Sequence, residues 1–229
     1  MKNERYIVAI CYAEDTALAK EQVEKQTIKV DDAIFMTDST PAIGIEARRE
    51  RIAELQVMAQ WKIDRKLFTD DLKPEDVVVW QIEGDSVIPE DALERLLKHY
   101  DTNDEAVYSG VQIGRHGLYC IGAWHINQDE TVIESVDHNK HGLVEVDGMG
   151  LYCYIMRADL FIKAESYWSG QKLGPDVNWF RSLDVPKYVD MDLHIGHYYK
   201  GGIIEVDSLA TCNARFTKVK DEWIFEQLD

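Results

Sequence analysis

The sequence predicts an α/β fold: a single domain with a central mixed, mostly parallel sheet flanked by helices. Three observations predict it. Residues 6–12 (YIVAICY) and 77–82 (VVVWQI) are apolar or nearly so at every position, the pattern of strands covered on both faces. Segments with helical spacing alternate with such runs through residues 1–100. A chain of 229 residues with 45% hydrophobic residues can build a sizeable core without disulfide staples.

Taken in order, residues 6–12 form the first strand, closed by Glu14 and Asp15. A helix follows over 16–26, with Leu18 and Val23 facing inward. Residues 33–36 (AIFM) are a short second strand, ended by Thr37, Asp38, Ser39, Thr40 and Pro41. The spacing of Ile45, Ile52, Leu55, Ala59 and Ile63 predicts a helix over 45–63. Residues 77–82 are the third strand, with the acidic turn Glu83, Gly84, Asp85 at its end. Pro89 opens a third helix, at a position where its missing N–H costs nothing, and Leu93, Leu96, Leu97 and Tyr100 give that helix one apolar face. The second half is less regular. Strands are expected over 106–111, 118–126, 143–146, 151–156, 188–194 and 203–206, with a turn at Gly114, Arg115, His116 and Gly117. Short helices are expected over 157–164 and 179–183. There is no repeat and no linker. The chain therefore reads as one domain, 1–229, made of a β-α-β half (1–100) and a second half (101–229).

Charge narrows the function classes. With 25 Lys+Arg against 42 Asp+Glu, the net charge is −17. A generally basic surface for nucleic acid or an anionic bilayer is excluded, though not a local basic groove. No stretch approaches the roughly 18 apolar residues of a membrane span, and the N-terminal apolar run is too short and too closely followed by acids for a signal peptide. Cys11, Cys120, Cys153 and Cys212 are scattered, with no CxxC pair. They read as buried free thiols in a reducing cytoplasm.

Ligands of open α/β sheets bind beyond the carboxyl ends of the parallel strands. Three such ends are legible, and each carries acids: Tyr12, Ala13, Glu14 and Asp15; Thr37, Asp38 and Ser39; and Glu83, Gly84 and Asp85. Two neighbouring carboxylates repel unless a proton or a cation intervenes. Hard divalent cations such as Mg²⁺ or Mn²⁺ take oxygen ligands and keep positions open for phosphate oxygens. A solvated acidic turn is the competing reading.

Four segments then carry a family resemblance. Residues 77–97 (VVVWQIEGDSVIPEDALERLL) resemble the DXD segment of GT-A fold glycosyltransferases, where an apolar strand ends in acids and a Pro leads into an "AL..LL" helix. Residues 146–161 (VDGMGLYCYIMRADLF) resemble the family's small-residue turn, apolar strand, Arg and short helix. Residues 174–180 (GPDVNWF) are similar to its "GED..F" segment, and residues 188–197 (YVDMDLHIGH) to its closing strand ending in "GH". They come in family order and, with the N-terminal β-α-β, span about residues 5–200. The sequence thus resembles a small family-2-like GT-A glycosyltransferase.

The resemblance implies a single GT-A-like domain with a nucleotide-binding and an acceptor-side half. It implies metal-dependent transfer of a sugar from a nucleotide-sugar, by family default a UDP-sugar, to a hydroxyl on a glycan, a small molecule or a modified DNA base. Glu83 and Asp85 stand at the metal-binding acids, with Glu where the family has Asp, and His197 at a third ligand. A histidine beside carboxylates suits Mn²⁺ somewhat better than Mg²⁺. A strand-end histidine bonded to backbone is the other reading of His197, and His194 is its competitor. Asp176 stands at the catalytic base, with Pro175 replacing the family's preceding acid; a helix N-cap is its other reading. Tyr12 and Asp38 fall at nucleotide-contact positions, Asp38 against base or ribose unless it only closes a turn. Arg48 resembles the Arg of the "ARN" stretch and reaches for the diphosphate. A solvated face is the alternative for Arg48, Arg49 and Arg51. Gly148, within Asp147–Gly150, lets backbone approach a ligand, or simply makes a tight turn. Trp124, Tyr152, Tyr154, Trp168 and Trp179 are stacking candidates or core.

A DNA acceptor would need a groove built from Lys62, Arg65, Lys66, Lys163, Lys172, Lys200, Lys218 and Lys220. A nucleotidyltransferase would normally show a Gly-rich basic loop where this chain has Ala13, Glu14 and Asp15. A catalytically inactive sugar- or partner-binding module on the same fold is the remaining alternative.

Overall fold

The computed structural model describes residues 5–38, 44–113, 120–166, 174–199, 201–204, 206, 213–219 and 222–228. The expected β-α-β-α-β-α half is present. Strand β1 (Tyr6–Ala13) leads to helix α1 (Ala17–Lys25), strand β2 (Asp32–Thr37), the long helix α2 (Ile45–Thr69), strand β3 (Val77–Glu83), a two-residue strand β4 (Ser86–Val87) and helix α3 (Ala92–Tyr100). After it come β5 (Val107–Val111), β6 (Ala123–Ile126), β7 (Val132–Ser135), β8 (Leu143–Val146), β9 (Gly148–Met149) and β10 (Cys153–Arg157). Helices α4 (Ala158–Lys163) and α5 (Pro175–Arg181) precede β11 (Lys187–His194), β12 (Gly196–Tyr199), β13 (Gly202–Ile204), β14 (Asn213–Val219) and β15 (Glu222–Leu228).

Seven strands make the central sheet, in the order β2-β1-β3-β10-β5-β11-β8. Strands β2, β1 and β3 are mutually parallel, β10 runs against both β3 and β5, and β11 lies parallel to β5. Strand β8 closes the far edge antiparallel to β11. The sheet is therefore mixed and mostly parallel, as expected. Its two faces explain the unbroken apolar runs. Val8, Ile10, Tyr12, Val77 and Val79 pack on one side with Ile63 of α2, Phe161 of α4 and Trp179 of α5. Ile7, Ala9, Cys11, Val78, Trp80 and Ile82 pack on the other with Val23 of α1 and Leu93 and Leu96 of α3. Alternate residues of one strand enter opposite layers, so both faces are apolar, and the one buried polar side chain of β3, Gln81, has its own hydrogen-bond partners.

Helix α2 runs six residues beyond the expected end at Ile63, because Leu67 continues the buried stripe of Ala59 and Ile63. Asp71, in the left-handed region at φ 52°, turns the chain away, a conformation Asp tolerates better than most residues. Helix α3 begins at Ala92 rather than Pro89, and Pro89 instead lends its carbonyl to the Gln26 side chain at 2.9 Å. Helix α5 begins at Pro175, earlier than the expected Trp179.

The largest departure lies in the second half. A five-stranded sheet, β15-β14-β7-β6-β9, stands beside the main one, and a three-stranded sheet, β13-β12-β4, caps its edge. Strands β7, β9, β14 and β15 are unannounced by the sequence pattern. They are short or only partly buried; β15 pairs with its neighbour β14 and β7 with nearby β6, while β14 meets β7 from some eighty residues away. Of the expected strand over 118–126, the described residues 120–126 hold β6 and an isolated bridge between Ile113 and Ile121. The strand expected to end in "GH" divides at Ile195, so that His197 belongs to β12. The Gly114–Gly117 turn, Trp168, Lys172, Lys200, Cys212 and Lys220 lie outside the described residues. Cys11 and Cys153 are buried free thiols, and Cys120 is a half-buried one. Burial pushes the first two thiols up to about 12, which makes them inert. Among the described residues, no helix is long and apolar enough to cross a membrane.

Candidate active site

Because β1, β2 and β3 are parallel and adjacent, their carboxyl ends share one edge. Tyr12 stands opposite Glu83 in the register and opposite Met36 on the other side, one residue before Thr37 and Asp38. The Asp38 N–H donates to the Ala13 carbonyl at 2.9 Å, which locks the second strand end to the first. The acidic turn packs down on the same edge. A Cβ on Gly84 would lie 2.3 Å from the Ala13 Cβ and 2.9 Å from the Asp15 carbonyl oxygen, so only Gly lets the turn pass.

The turn is also clamped from beyond the sheet. The Tyr198 N–H donates to the Asp85 carbonyl at 2.8 Å, and β4 pairs with β12 so that Ser86 faces His197 and Val87 faces Gly196. Gln112 ties the two strands together through Ser86 Oγ and the Gly196 carbonyl, both at 3.2 Å. The result is a pair that sequence separation hides: His197 Nε2 lies 3.5 Å from Asp85 Oδ2. The other ring nitrogen, Nδ1, is 3.0 Å from the Ile113 carbonyl, which can only accept, so Nδ1 carries the hydrogen. Nε2 therefore meets a carboxylate either with a second proton, as an imidazolium, or with a lone pair. Two lone-pair donors facing each other need a cation between them. An imidazole that donates its far N–H to a backbone carbonyl is also the usual posture of a metal-ligating histidine. The backbone-bonded reading of His197 holds at Nδ1, while Nε2 is the nitrogen turned to Asp85. His194 does not compete: its Nε2 is 3.1 Å from the Met191 carbonyl, on the other side of the break at Ile195.

Glu83 is placed differently. It is the last residue of β3, on the face shared by Gln81, and its charge acts on the Tyr12, Tyr152 and Tyr154 hydroxyls, helping burial to raise them. Gln81 links two of those rings, donating to Tyr12 Oη at 3.1 Å and accepting from Tyr154 Oη at 2.7 Å. The turn at Gly84 breaks the strand alternation that would have aligned Glu83 with Asp85. Among the described residues no three His, Cys, Asp or Glu side chains gather as a metal-holding group. Of the three expected ligands, the structure brings Asp85 and His197 together. That pair fits a Mn²⁺- or Mg²⁺-like ion that fills its remaining positions with water or phosphate oxygens.

The opening turns of α2 connect two more candidates. Arg51 grips Asp38 with both arms of its fork, Nε to Oδ2 at 2.7 Å and Nη2 to Oδ1 at 2.9 Å, and also pairs with Glu54. Arg49, half-buried, faces the Asp176 carboxylate. Arg48, the residue chosen from the sequence, is exposed. Three arginines within four residues look alike in sequence. Helical rotation separates them by about 100° per residue and gives each a different environment.

Asp176 does not cap its helix. Gly174 is the N-cap and Pro175 the first residue, so Asp176 lies inside the first turn, where its Oδ1 accepts the Val177 N–H at 3.1 Å. Burial pushes its carboxyl up to about 6, against the pull of that N–H and of the Arg49 guanidinium. A carboxylate tuned close to neutrality is suited to accept a proton at the pH at which it works.

Gly148 is buried, and a Cβ there would come within 2.6 Å of Trp124 Nε1. Its need for glycine comes from the indole packed on it. Gly148→Ala is expected to destabilise the fold by about 1–3 kcal/mol in urea unfolding, the usual cost of overpacking. A change in nucleotide affinity at unchanged stability would restore it to the ligand site. Trp124, Tyr152, Tyr154 and Trp179 are likewise buried core rings. The described candidates for a basic groove are partly neutralised, and Lys62, Arg65 and Lys66 share one stretch of α2. Lys66 pairs with Asp32 and Asp70, Lys163 pairs with Asp159, and Lys62 and Arg65 lie over the Trp61 ring.

No protein-family model and no curated protein sequence matches the chain. Solved structures do. A197 from STIV superposes with a TM-score of 0.58 at 13% identity, over 88% of this chain and 91% of that one. GalNAc-T7, solved with UDP, GalNAc and Mn²⁺, superposes with a TM-score of 0.53 at 10% identity. The match covers 88% of this chain but only 45% of GalNAc-T7, so the chain spans less than half of that protein's length. At such identities the likeness is one of fold. The chain has a GT-A-like fold, as the four sequence segments implied.

Proposed function

We propose that the protein is a glycosyltransferase that moves a sugar from a nucleotide-sugar, a UDP-sugar by preference, to a hydroxyl acceptor. The observation that carries the reading is the Asp85–His197 pair, anchored through Nδ1 and set at the shared carboxyl edge of three parallel strands. This edge is where open α/β sheets hold nucleotides.

Asp85 and His197 would hold a Mn²⁺ or Mg²⁺ ion, which as a Lewis acid offsets charge on a diphosphate leaving group. Asp38, fixed by Arg51, keeps lone pairs for ribose or base hydrogen bonds, and Tyr12 stands beside it at the end of β1. Arg48, exposed on the first turn of α2, is free to swing onto the diphosphate. Glu83 shapes the edge from beside Tyr12. Asp176 takes the proton of the acceptor hydroxyl. As it does so, the acceptor oxygen bonds to the anomeric carbon and the bond from that carbon to the diphosphate oxygen breaks, the electron pair leaving with the diphosphate. The ion pairs that hold Lys66 and Lys163 favour a glycan or small-molecule acceptor over a DNA base.

The test is a thermal-shift panel of UDP, GDP, ADP, CMP and their sugar conjugates, each with Mn²⁺ and with EDTA. A ligand that binds only the folded protein stabilises it by RT ln(1 + [L]/Kd), about 2.7 kcal/mol at a hundred times Kd. The expected result is a shift with one nucleotide class that EDTA removes. Stabilisation by no nucleotide in either condition would replace this reading with a binding module on the same fold.

A further inference from the structure

A second concave site lies away from the nucleotide edge, on another face of α5. Asn178, Arg181 and Ser182, at three- and four-residue spacing, share that face, whereas Asp176 is turned toward Arg49 of α2. With the β6–β7 turn and the start of β11, they enclose a cleft of about 430 Å³. That is within the range of small-ligand sites, about 300–1,000 Å³.

Its floor is Lys187, only 8% exposed. The Lys187 ammonium donates to the Leu183 carbonyl at 2.8 Å and the Val185 carbonyl at 3.0 Å. Among the described residues it makes no ion pair, so its third N–H is left for whatever occupies the cleft. A buried cation held by carbonyls alone is costly, and burial lowers its pKa against the pull of Asp147, Asp184 and Glu145. The walls are preset by their own bonds. Asp147 Oδ2 accepts the Ile126 N–H at 2.8 Å, which leaves Oδ1 for a ligand. Arg181 is braced by Glu130. Ser182 Oγ accepts the Glu165 N–H at 2.8 Å, which fixes the backbone that carries the Glu165 carboxylate.

The mixture of charges selects the ligand. A phosphate or carboxylate drawn to Lys187 and Arg181 would meet Glu130, Asp147 and Glu165. A cation drawn to those acids would meet Lys187. Among the described residues of the lining a nucleobase would find no aromatic face, for Ile126 is the one apolar side chain there. A neutral ligand rich in hydroxyls satisfies both sets, because each hydroxyl can donate to a carboxylate and accept from an ammonium, guanidinium or amide. We propose that this cleft is a saccharide-binding site for a neutral, polyhydroxylated sugar, separate from the nucleotide edge. The assignment does not depend on the transferase reading.

The experiment uses ligand-observed saturation-transfer NMR and titration calorimetry on the full chain, in EDTA and without nucleotide. The probes are the neutral trisaccharides maltotriose, cellotriose, mannotriose and triacetylchitotriose, with inorganic phosphate and citrate as anionic controls. At least one trisaccharide is expected to bind, and phosphate and citrate are not. Lys187→Met and, at the more accessible wall, Asn178→Ala should each weaken that binding at least tenfold, while Asp85→Ala leaves it unchanged. Should Lys187→Met fail to fold, Asn178→Ala decides alone. Binding of none of the trisaccharides, of the anions instead, or undiminished binding in Asn178→Ala overturns the proposal. A sugar that binds in EDTA when no nucleotide shifts the melting point in Mn²⁺ would sustain this site and sink the transferase reading.

Discussion

Asp176→Asn is expected to lower the rate of sugar transfer by about 10²–10⁴-fold, the usual worth of a positioned general base, with donor affinity unchanged. The substitution keeps the shape and the acceptor for the Val177 N–H, and removes only the ability to take a proton. The pH profile is the sharper signature. With its carboxyl pushed up to about 6 by burial, Asp176 is an active base only above that pH. The rate should therefore fall about tenfold per pH unit below 6 and level off above it. The stability profile runs the opposite way. The folded pKa is raised above the unfolded value of about 3.9, so folding favours the protonated form. The contribution of this group is greatest below about pH 4 and is lost as pH rises through 6. The amide that replaces the carboxyl carries no charge to desolvate, so the variant should be more stable than the parent by up to about 3 kcal/mol at pH 7.5, where the parent carboxylate is ionised. A helix-capping residue would show the reverse, a loss of stability on substitution. Unchanged transfer in Asp176→Asn would remove it from the reaction.

The second large effect is at the metal pair. Asp85→Ala is expected to weaken Mn²⁺-dependent nucleotide binding by about 100-fold, at least as much as the loss of a supporting partner costs a metal site. Stability should change little, since the Asp85 backbone bond to Tyr198 remains. His197→Ala should match that loss of binding and in addition destabilise the fold by about 1–3 kcal/mol, because it leaves the buried Ile113 carbonyl without its donor. Calorimetric titration of UDP in Mn²⁺ and in EDTA separates the two effects. Nucleotide affinity in Mn²⁺ that is the same in Asp85→Ala and the parent would end the metal assignment. If Glu83→Gln matched Asp85→Ala, Glu83 would have to be returned to the ligand set beside Tyr12.

Much of the fold was legible because its physics is local. The apolar runs at β1 and β3 fit strands with both faces covered, and the spacing of Leu93, Leu96 and Tyr100 fits a helix with one apolar face. Part of what escaped was built from pairings across long separations. Strand β14 finds β7 some eighty residues earlier, Arg215 opposite Glu134, and β12 finds β4 across more than a hundred, His197 opposite Ser86. No window of sequence contains both partners.

The same division runs through the candidate site. The sequence by itself determined which acids stand at strand ends, since Asp38, Glu83 and Asp85 follow directly from where apolar runs stop. It also singled out Asp176 and His197, by resemblance. Tertiary structure alone decided what these residues face. It joined Asp85 to His197 and left Glu83 beside Tyr12, because a glycine turn, packed on Ala13, ends the strand alternation between the two acids. It gave Asp38 to Arg51 and Asp176 to Arg49, because helical rotation, invisible in a string of arginines, aims neighbouring side chains in different directions. And it buried Lys187 beneath a polar cleft, held by carbonyls and, among the described residues, without an ion pair. That juxtaposition of β6 and the turn after it, Asp147, α5 and β11 is one that no segment of the chain encodes alone.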